Sequence, residues 1–130
     1  MADDALESLK LPPHSVEAEQ SVLGGLLLEN EALDKIADLL AAGDFYRHDH
    51  RLIYEHIAKL IEHNKPADIV TVAESLENAA ELSAVGGLAY LGALAQNTPT
   101  AANIRRYAEI VRERAVMRKL VEVGSSIAES

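Results

Sequence analysis

The chain contains no cysteine and no tryptophan among its 130 residues. The absence of cysteine excludes disulfide bonds and thiolate chemistry, and it agrees with a reducing compartment. Aromatic residues make up only 4% of the sequence, so the core must consist mainly of Leu, Ile, Val and Ala. Apolar residues make up 48% of the chain, which separates it from disordered sequences. The length suits one compact domain with a modest core.

The N-terminal residues lack the features of a targeting segment. Residues 1–14 are acidic and contain no apolar run of the kind found in a secretory signal peptide. Elsewhere, no stretch approaches the roughly 20 apolar residues that a membrane-spanning helix needs. We therefore expect a flexible acidic tail over residues 1–14, no membrane contact and a cytoplasmic location.

Negative charge is in excess but is unevenly distributed. Residues 1–100 hold 6 Lys and Arg against 17 Asp and Glu, a balance of −11, whereas residues 101–130 hold 6 against 4, a balance of +2. Proteins draw most of their non-specific affinity for DNA from neutralising its phosphates. The acidic body therefore predicts weak or no direct DNA binding by this domain.

Apolar residues recur at intervals of three and four along the chain, and no β-hairpin signal interrupts them. The sequence predicts an all-α fold, with a globular helical domain over residues 15–98 and one long helix over residues 99–130. The expected helix starts are Ser15 (as N-cap), Glu31, the residues after Tyr46, Asp68 (as N-cap), Gly87 and Thr100. The third predicted helix has the strongest periodicity and should supply the core. Its expected core residues and their neighbours are Leu52, Ile53, Ile57 and Leu60, with Leu23, Leu26, Leu27, Leu88 and Leu91.

Two adjacent glycines, Gly24 and Gly25, interrupt the most apolar stretch of the first predicted helix. A glycine inside a helix costs roughly 1 kcal/mol relative to alanine. Our hypothesis is that these glycines let another helix, the third or the fifth, approach the backbone of the first one closely.

The long last helix carries apolar residues on two different faces. On a wheel of about 100° per residue, the apolar residues up to Ala115 lie on one side and those from Val116 onward lie on the opposite side. The first half should pack on its own domain, and the second half should project and need another partner, so we expect that the chain is cut, that it self-associates, or both. The predicted interface residues are Val116, Met117, Leu120, Val121 and Ile127, with Arg112 and Arg114 as polar contacts at its rim.

Signals of catalysis are weak. The adjacent His48 and Asp49 resemble the metal-binding pair of HD-type phosphohydrolases, and His14 and Asp68 are the nearest candidates for further ligands, but a solvated helix start is the simpler interpretation. Glycines with the spacing of a phosphate-binding P-loop precede Ala93 and Leu94 where lysine and Ser or Thr are required. We predict no catalytic, cofactor-binding or metal-binding residue.

Five segments, in order and at consistent spacing, resemble one known family, the N-terminal domain of bacterial replicative DNA helicases of the DnaB type. They are "PPHSVEAEQSVLGGLL" (12–27), "DFYRHDHRLIY" (44–54), "DIVTVAESLE" (68–77), "VGGLAYL" (85–91) and "NTPTAANIRRYAEIVRERAVMRKL" (97–120).

The resemblance implies a non-catalytic assembly and primase-docking domain. Such domains form a collar above a RecA-like ATPase motor in a hexameric ring, and they pair through a helical hairpin to give a trimer of dimers. The resemblance implies that the long helix from Thr100 is the first arm of this hairpin and that the second arm and the motor lie outside the chain. It also implies the C-terminal domain of primase as a partner, a helicase loader as a further one, and ATP and Mg²⁺ only in the motor of the parent protein, with no cofactor in this fragment.

Two alternatives remain open from the residues alone. One is an independent HD-type metal hydrolase, and the other is a helical adaptor unrelated to replication.

Overall fold

The computed structural model describes residues 11–129, with side chains through residue 125. Within this range the chain forms five α-helices, three short 3₁₀ segments and no β-strand, so the all-α expectation is confirmed. The α-helices are α1 (Val16–Leu28), α2 (His48–Glu62), α3 (Ile69–Asn78), α4 (Gly87–Asn97) and α5 (Ile104–Glu129). The 3₁₀ segments are Asn30–Lys35, Ala42–Asp44 and Ser83–Val85. Most of the predicted tail, residues 1–10, lies outside the described part of the chain.

Side-chain caps begin two of the helices, as the sequence predicts. The Ser15 hydroxyl accepts a hydrogen bond from the Ala18 backbone amide at 3.2 Å. The Asp68 carboxylate accepts from the Thr71 amide, and the Thr71 hydroxyl accepts from the Asp68 amide, both at 2.8 Å. These bonds satisfy amides that the first turn of a helix leaves without partners.

The helix predicted to begin near Glu31 does not form as an α-helix. The chain forms a 3₁₀ segment over Asn30–Lys35, and Ile36 leaves helical geometry with φ of −129°. A 3₁₀ helix places residues three apart on the same side, and Leu33 and Ile36 are buried at that spacing. The Asn30 side chain also donates to the Ala67 carbonyl at 2.8 Å and accepts from the Ala67 amide at 2.9 Å. These hydrogen bonds to a distant loop fix the start of the 3₁₀ segment.

Helix α1 lies at the centre of the fold and packs against α2, α4 and α5. Gly24 faces the end of α4, because a Cβ atom built there would overlap Thr98 and the Leu94 carbonyl oxygen. The predicted close approach of the fifth predicted helix, which is α4, is therefore present at Gly24. Gly25 instead faces Ala101 and Ile104 at the start of α5, which differs from the expectation of the third or fifth predicted helix.

The predicted core is largely present, with one error. Leu52, Ile53 and Ile57 on α2 are buried, together with Leu23, Leu26, Leu27 and Leu91. Leu60 is partly buried and packs against the core. Leu88 was expected in the core but is 53% exposed, because the buried residues of α4 are Leu91 and Leu94 and the packed face begins one turn after Leu88.

Among residues 11–129, none of the helices combines the length and the apolar character that a membrane crossing requires.

Candidate interaction surface

The first half of α5 packs on the body of the domain. Ile104, Ala108 and Val111 are each 1% exposed or less. Their spacing of three and four residues places them on one face of the helix. This half of α5 therefore continues the core of the domain.

The second half of α5 presents an apolar surface to solvent. We call it the apolar stripe, and its described members are Val116 (42% exposed), Met117 (45%), Leu120 (66%), Val121 (61%) and Val123 (45%). A contiguous exposed apolar surface of this kind is typical of a protein contact site. Ile127, also predicted for this surface, lies outside the residues whose side chains are described.

The two arginines predicted at the rim of the stripe differ in their surroundings. Arg112 donates from Nη1 to the Asp44 carboxylate at 2.9 Å, so it contacts its own body. Arg114 is partly buried. Arg112 also lines a groove of about 450 Å³ between α5 and the Ala42–Asp44 segment, next to Val116 and Leu120 of the stripe. Their part in binding another molecule stays a prediction.

Arg118 connects α5 to the body of the domain by hydrogen bonds. The sequence analysis did not identify this residue. Its guanidinium donates to the carbonyl oxygens of Pro13, at 2.8 Å, and Asp44, at 2.6 Å. Burial lowers the pKa of Arg118, because removal from water disfavours the charged form. The available signal was its place on the wheel, on the same side as Ile104 and Val111.

A buried polar cluster joins α1, α2 and α4, and the sequence analysis missed it as well. Glu19 and His50 are 1% and 0% exposed. The His50 Nδ1–H donates to Glu19 Oε1 at 2.7 Å, and the other carboxylate oxygen accepts from the Tyr46 amide at 2.7 Å. The His50 Nε2 lies 2.6 Å from the Tyr90 hydroxyl. The signal was the helical spacing, since Glu19 precedes Leu23 by four residues and so shares its buried face.

This cluster is internal and serves the fold. The Tyr90 hydroxyl can both donate and accept, so it completes the pairing of the His50 ring at Nε2. Gln20 donates in turn to the Tyr90 oxygen at 3.2 Å. Among the described residues, no buried side-chain nitrogen or oxygen lacks a hydrogen-bond partner. Complete pairing of this kind stabilises one arrangement of the helices.

Three of the four residues considered for an HD-type metal site have other partners, and the fourth, His48, is exposed at the first residue of α2. Asp49 pairs with Arg47, and this hydrogen bond raises the pKa of the Arg47 guanidinium. His14 stacks on the Tyr46 ring, with 4.3 Å between the ring centroids. Asp68 caps α3. Within the part of the chain that the structure describes, no three His, Asp or Glu side chains are grouped so that they could hold a metal ion.

Comparison with known proteins identifies one family over most of the chain. The family model described as the DnaB-like helicase N-terminal domain matches residues 11–113. The chain is 45% identical to the replicative DNA helicase DnaB of Haemophilus influenzae over 129 residues, which are 99% of this chain and 28% of that protein. It is 42% identical to the replicative DNA helicase DnaC of Bacillus subtilis over 92% of this chain and 26% of that protein. The chain thus spans less than a third of the length of the relatives it matches.

Solved structures give the same result for the fold. The N-terminal domain of DnaB helicase from Mycobacterium tuberculosis superposes with a TM-score of 0.89 at 44% identity, over 92% of this chain and 83% of that one. A DnaB-like replicative helicase, whose structure was solved with its interactions with primase, gives 0.74 at 27% identity, over 86% of this chain and 26% of that one. The Helicobacter pylori DnaB N-terminal domain, also described with its interactions with primase, gives 0.71 at 25% identity, over 86% and 87%.

Proposed function

The chain belongs to the family of DnaB-like helicase N-terminal domains, and on that premise we propose that it is the assembly and primase-docking domain of a hexameric replicative DNA helicase. The observation that carries the proposal is the apolar stripe of α5, where five neighbouring apolar side chains are between 42% and 66% exposed. The domain itself performs no catalysis in this proposal. Its task is to hold helicase subunits together and to recruit primase.

Self-association is the first part of the proposed function. Full burial of a large apolar side chain contributes roughly 1.5–3 kcal/mol, so a partner that covers the stripe gains several such contributions. A second copy of the chain offers an identical stripe, and a two-fold contact buries both stripes at once. The resemblance extends this pairing to a trimer of dimers in the collar of a hexamer.

Docking of primase is the second part. Two similar proteins are described with their interactions with primase, and both share the fold of this chain. We therefore assign the C-terminal domain of primase as a partner of this domain, with the arms paired through the stripe and the neighbouring Arg112 and Arg114 as the contact region. A helicase loader is a further partner in this assignment, without residues attached to it.

Catalysis belongs to the rest of the parent protein in this proposal. The relatives are named replicative DNA helicases, and this chain spans 28% of the length of the Haemophilus influenzae protein. Use of ATP and Mg²⁺ to unwind duplex DNA is therefore assigned to a motor domain outside these 130 residues. The net charge of −9 supports weak direct DNA binding by the domain itself. A role in chromosome replication also supports a cytoplasmic location.

The experiment is sedimentation equilibrium over a concentration series, with one charged substitution inside the stripe and a matched one outside it. Val121→Glu puts a carboxylate in the centre of the stripe. Val70→Glu makes the same change on α3, where the valine is 69% exposed. We expect self-association of the wild type and of Val70→Glu.

Val121→Glu should bind itself at least tenfold more weakly, because each tenfold change corresponds to about 1.4 kcal/mol and the lost burial exceeds that value. At concentrations where each protein is monomeric, the melting temperatures of all three should agree, since both valines are exposed. Equal sedimentation of wild type and Val121→Glu would contradict the assembly role.

A further inference from the structure

The apolar packing of α5 on the body ends well before the stripe does. Val111 is the last residue of α5 in the core, at 1% exposure. Three of the five stripe residues, Leu120, Val121 and Val123, lie more than two turns beyond it. A helix that leaves its body without further contacts frays and changes direction easily. Some other interaction must hold the second half of α5 if the stripe is to point in one direction.

Arg118 supplies that interaction. It lies within about 40° of Ile104 and Val111 on the wheel and on the opposite side from the stripe. Its side chain therefore points at the body, and it lines the groove beside Asp44 together with Val116 and Leu120 of the stripe, whose outer surface stays exposed. The two η nitrogens donate to two separate segments, the Pro13 carbonyl at 2.8 Å and the Asp44 carbonyl at 2.6 Å.

The segments that Arg118 binds are themselves held in place, and His14, next to Pro13, stacks on the Tyr46 ring with 4.3 Å between the ring centroids. The guanidinium carbon lies 5.4 Å from the centroid of the Tyr46 ring, in a cation–π contact. The buried Glu19 carboxylate holds the Tyr46 backbone amide at 2.7 Å. The Asp44 carboxylate accepts from the Ala41 amide at 2.8 Å. Arg118 thus joins α5 to anchored parts of the body and not to mobile side chains.

We infer that Arg118 is a positioning residue that fixes the direction in which α5 leaves the body, and that it thereby presents the apolar stripe to a second copy of the chain. The inference rests on the proposed function for the identity of the partner. Arg118 itself touches no partner in this account. It acts by keeping α5 in the orientation that association requires.

The expected effect on association follows from the population of that orientation. The apparent dissociation constant rises as the fraction of competent molecules falls. Suppose that α5 without Arg118 is correctly oriented for about a tenth of the time. Each copy then raises the apparent dissociation constant about tenfold, so the dissociation constant of a symmetric dimer rises about a hundredfold.

The test measures the direction of α5 by the distance between two spin labels. Because the chain has no cysteine, labels attach only at introduced sites, and Glu55→Cys on α2 and Ser125→Cys on α5 are exposed positions. Labelled chain is mixed with excess unlabelled chain, so that only distances within one molecule are measured. Arg118→Met removes the donors but keeps the aliphatic stem.

Two further variants make the measurement specific. Arg118→Lys keeps the charge, but one ammonium cannot donate to both carbonyls from separate nitrogens. Arg106→Met makes the same charge change on α5 at a side chain that is 61% exposed and that, among the described residues, forms ion pairs with Glu109 and Glu113 of its own helix. Wild type and Arg106→Met should give one narrow distance distribution, Arg118→Met a broad one and Arg118→Lys an intermediate one. Loss of the two hydrogen bonds should lower the melting temperature of Arg118→Met by several degrees without unfolding the body.

Sedimentation of the same proteins completes the test. We expect Arg118→Met to associate about a hundredfold more weakly than Arg106→Met. Equal distance distributions in wild type and Arg118→Met would overturn the inference, and so would a broad distribution with unchanged association. A wild type that stays monomeric at every concentration would overturn the proposed function and the role of Arg118 in association, while the distance measurement would still decide whether Arg118 fixes α5.

Discussion

Replacement of Gly24 by alanine should destabilise the fold, although alanine is the better helix former. A methyl group on Gly24 would stand 2.8 Å from Thr98 Cβ, and nearer still to Thr98 Oγ1 and to the Leu94 carbonyl oxygen. Real Cβ atoms essentially never approach another heavy atom within 3.0 Å, so α4 has to move away from α1. The bond from the Thr98 hydroxyl to the Leu94 carbonyl, at 3.0 Å, is disturbed as well.

The size of the effect follows from two opposing contributions. Overpacking of a core costs about 1–3 kcal/mol, and the upper end applies here because a backbone carbonyl cannot rotate away as a side chain does. Alanine returns about 1 kcal/mol through its helix propensity. We therefore expect Gly24→Ala to lower the free energy of unfolding by about 2 kcal/mol.

Gly25→Ala is the matched control on the next residue of the same helix. A methyl group there meets Ile104 Cδ1 at 3.2 Å, the end of a side chain that can give by a few tenths of an ångström. This variant should lie within about 1 kcal/mol of the wild type. Urea unfolding followed by far-ultraviolet circular dichroism measures both variants. A Gly24→Ala protein as stable as the wild type, or an equal loss at both positions, would refute the reasoning about the α1–α4 contact.

Two further predictions concern buried ionisable groups. Glu19→Gln should cost about 1–2 kcal/mol of unfolding free energy, because the buried bonds from the Tyr46 amide and the His50 ring lose the negative charge that strengthens them. Glu17→Gln, on the exposed side of the same turn, should cost only about 0.3–0.5 kcal/mol, and equal stability of both variants in urea would contradict the cluster's role. Burial raises the pKa of the Tyr54 phenol above its ordinary value of 10.0, so its contribution to stability is complete below about pH 10 and is lost as the pH rises through the folded-state pKa. Tyr54→Phe should therefore reduce the loss of unfolding free energy at alkaline pH. At pH 7 it should cost about 0.5–1.5 kcal/mol for the lost hydrogen bond to the Leu40 carbonyl. An unchanged slope of unfolding free energy against alkaline pH would contradict the assignment of this loss to Tyr54.

The parts of the fold that depend on neighbours along the chain could be predicted from the sequence. The caps at Ser15 and Asp68 and the buried face of α2 follow from hydrogen bonding and spacing within one or two turns. The segment after Asn30 could not, because apolar residues at intervals of three and four fit more than one kind of helix. The bonds from Asn30 to the Ala67 backbone decide between them, and these groups are 37 residues apart in the chain.

The candidate surface also has features that the sequence predicts and features that it does not. The change of apolar face along α5 is a local pattern, and the exposure of Val116 and Leu120 agrees with it. The partners of Arg118 lie 105 and 74 residues away, so a helix wheel could place the arginine on the body side but could not identify the carbonyls that it binds. The Glu19–His50 pair joins residues 31 apart in the chain, so the spacing of Glu19 before Leu23 could place the carboxylate on a buried face but could not identify His50 as its partner.

The docking role of the stripe is tested most directly by calorimetric titration of primase from the same organism into this chain. The account predicts saturable binding to the wild type and to Val70→Glu, and binding at least tenfold weaker to Met117→Glu, whose carboxylate would be buried at the contact. All three proteins should unfold at the same temperature. Absence of binding to the wild type, or equal affinity for the wild type and Met117→Glu, would contradict the account.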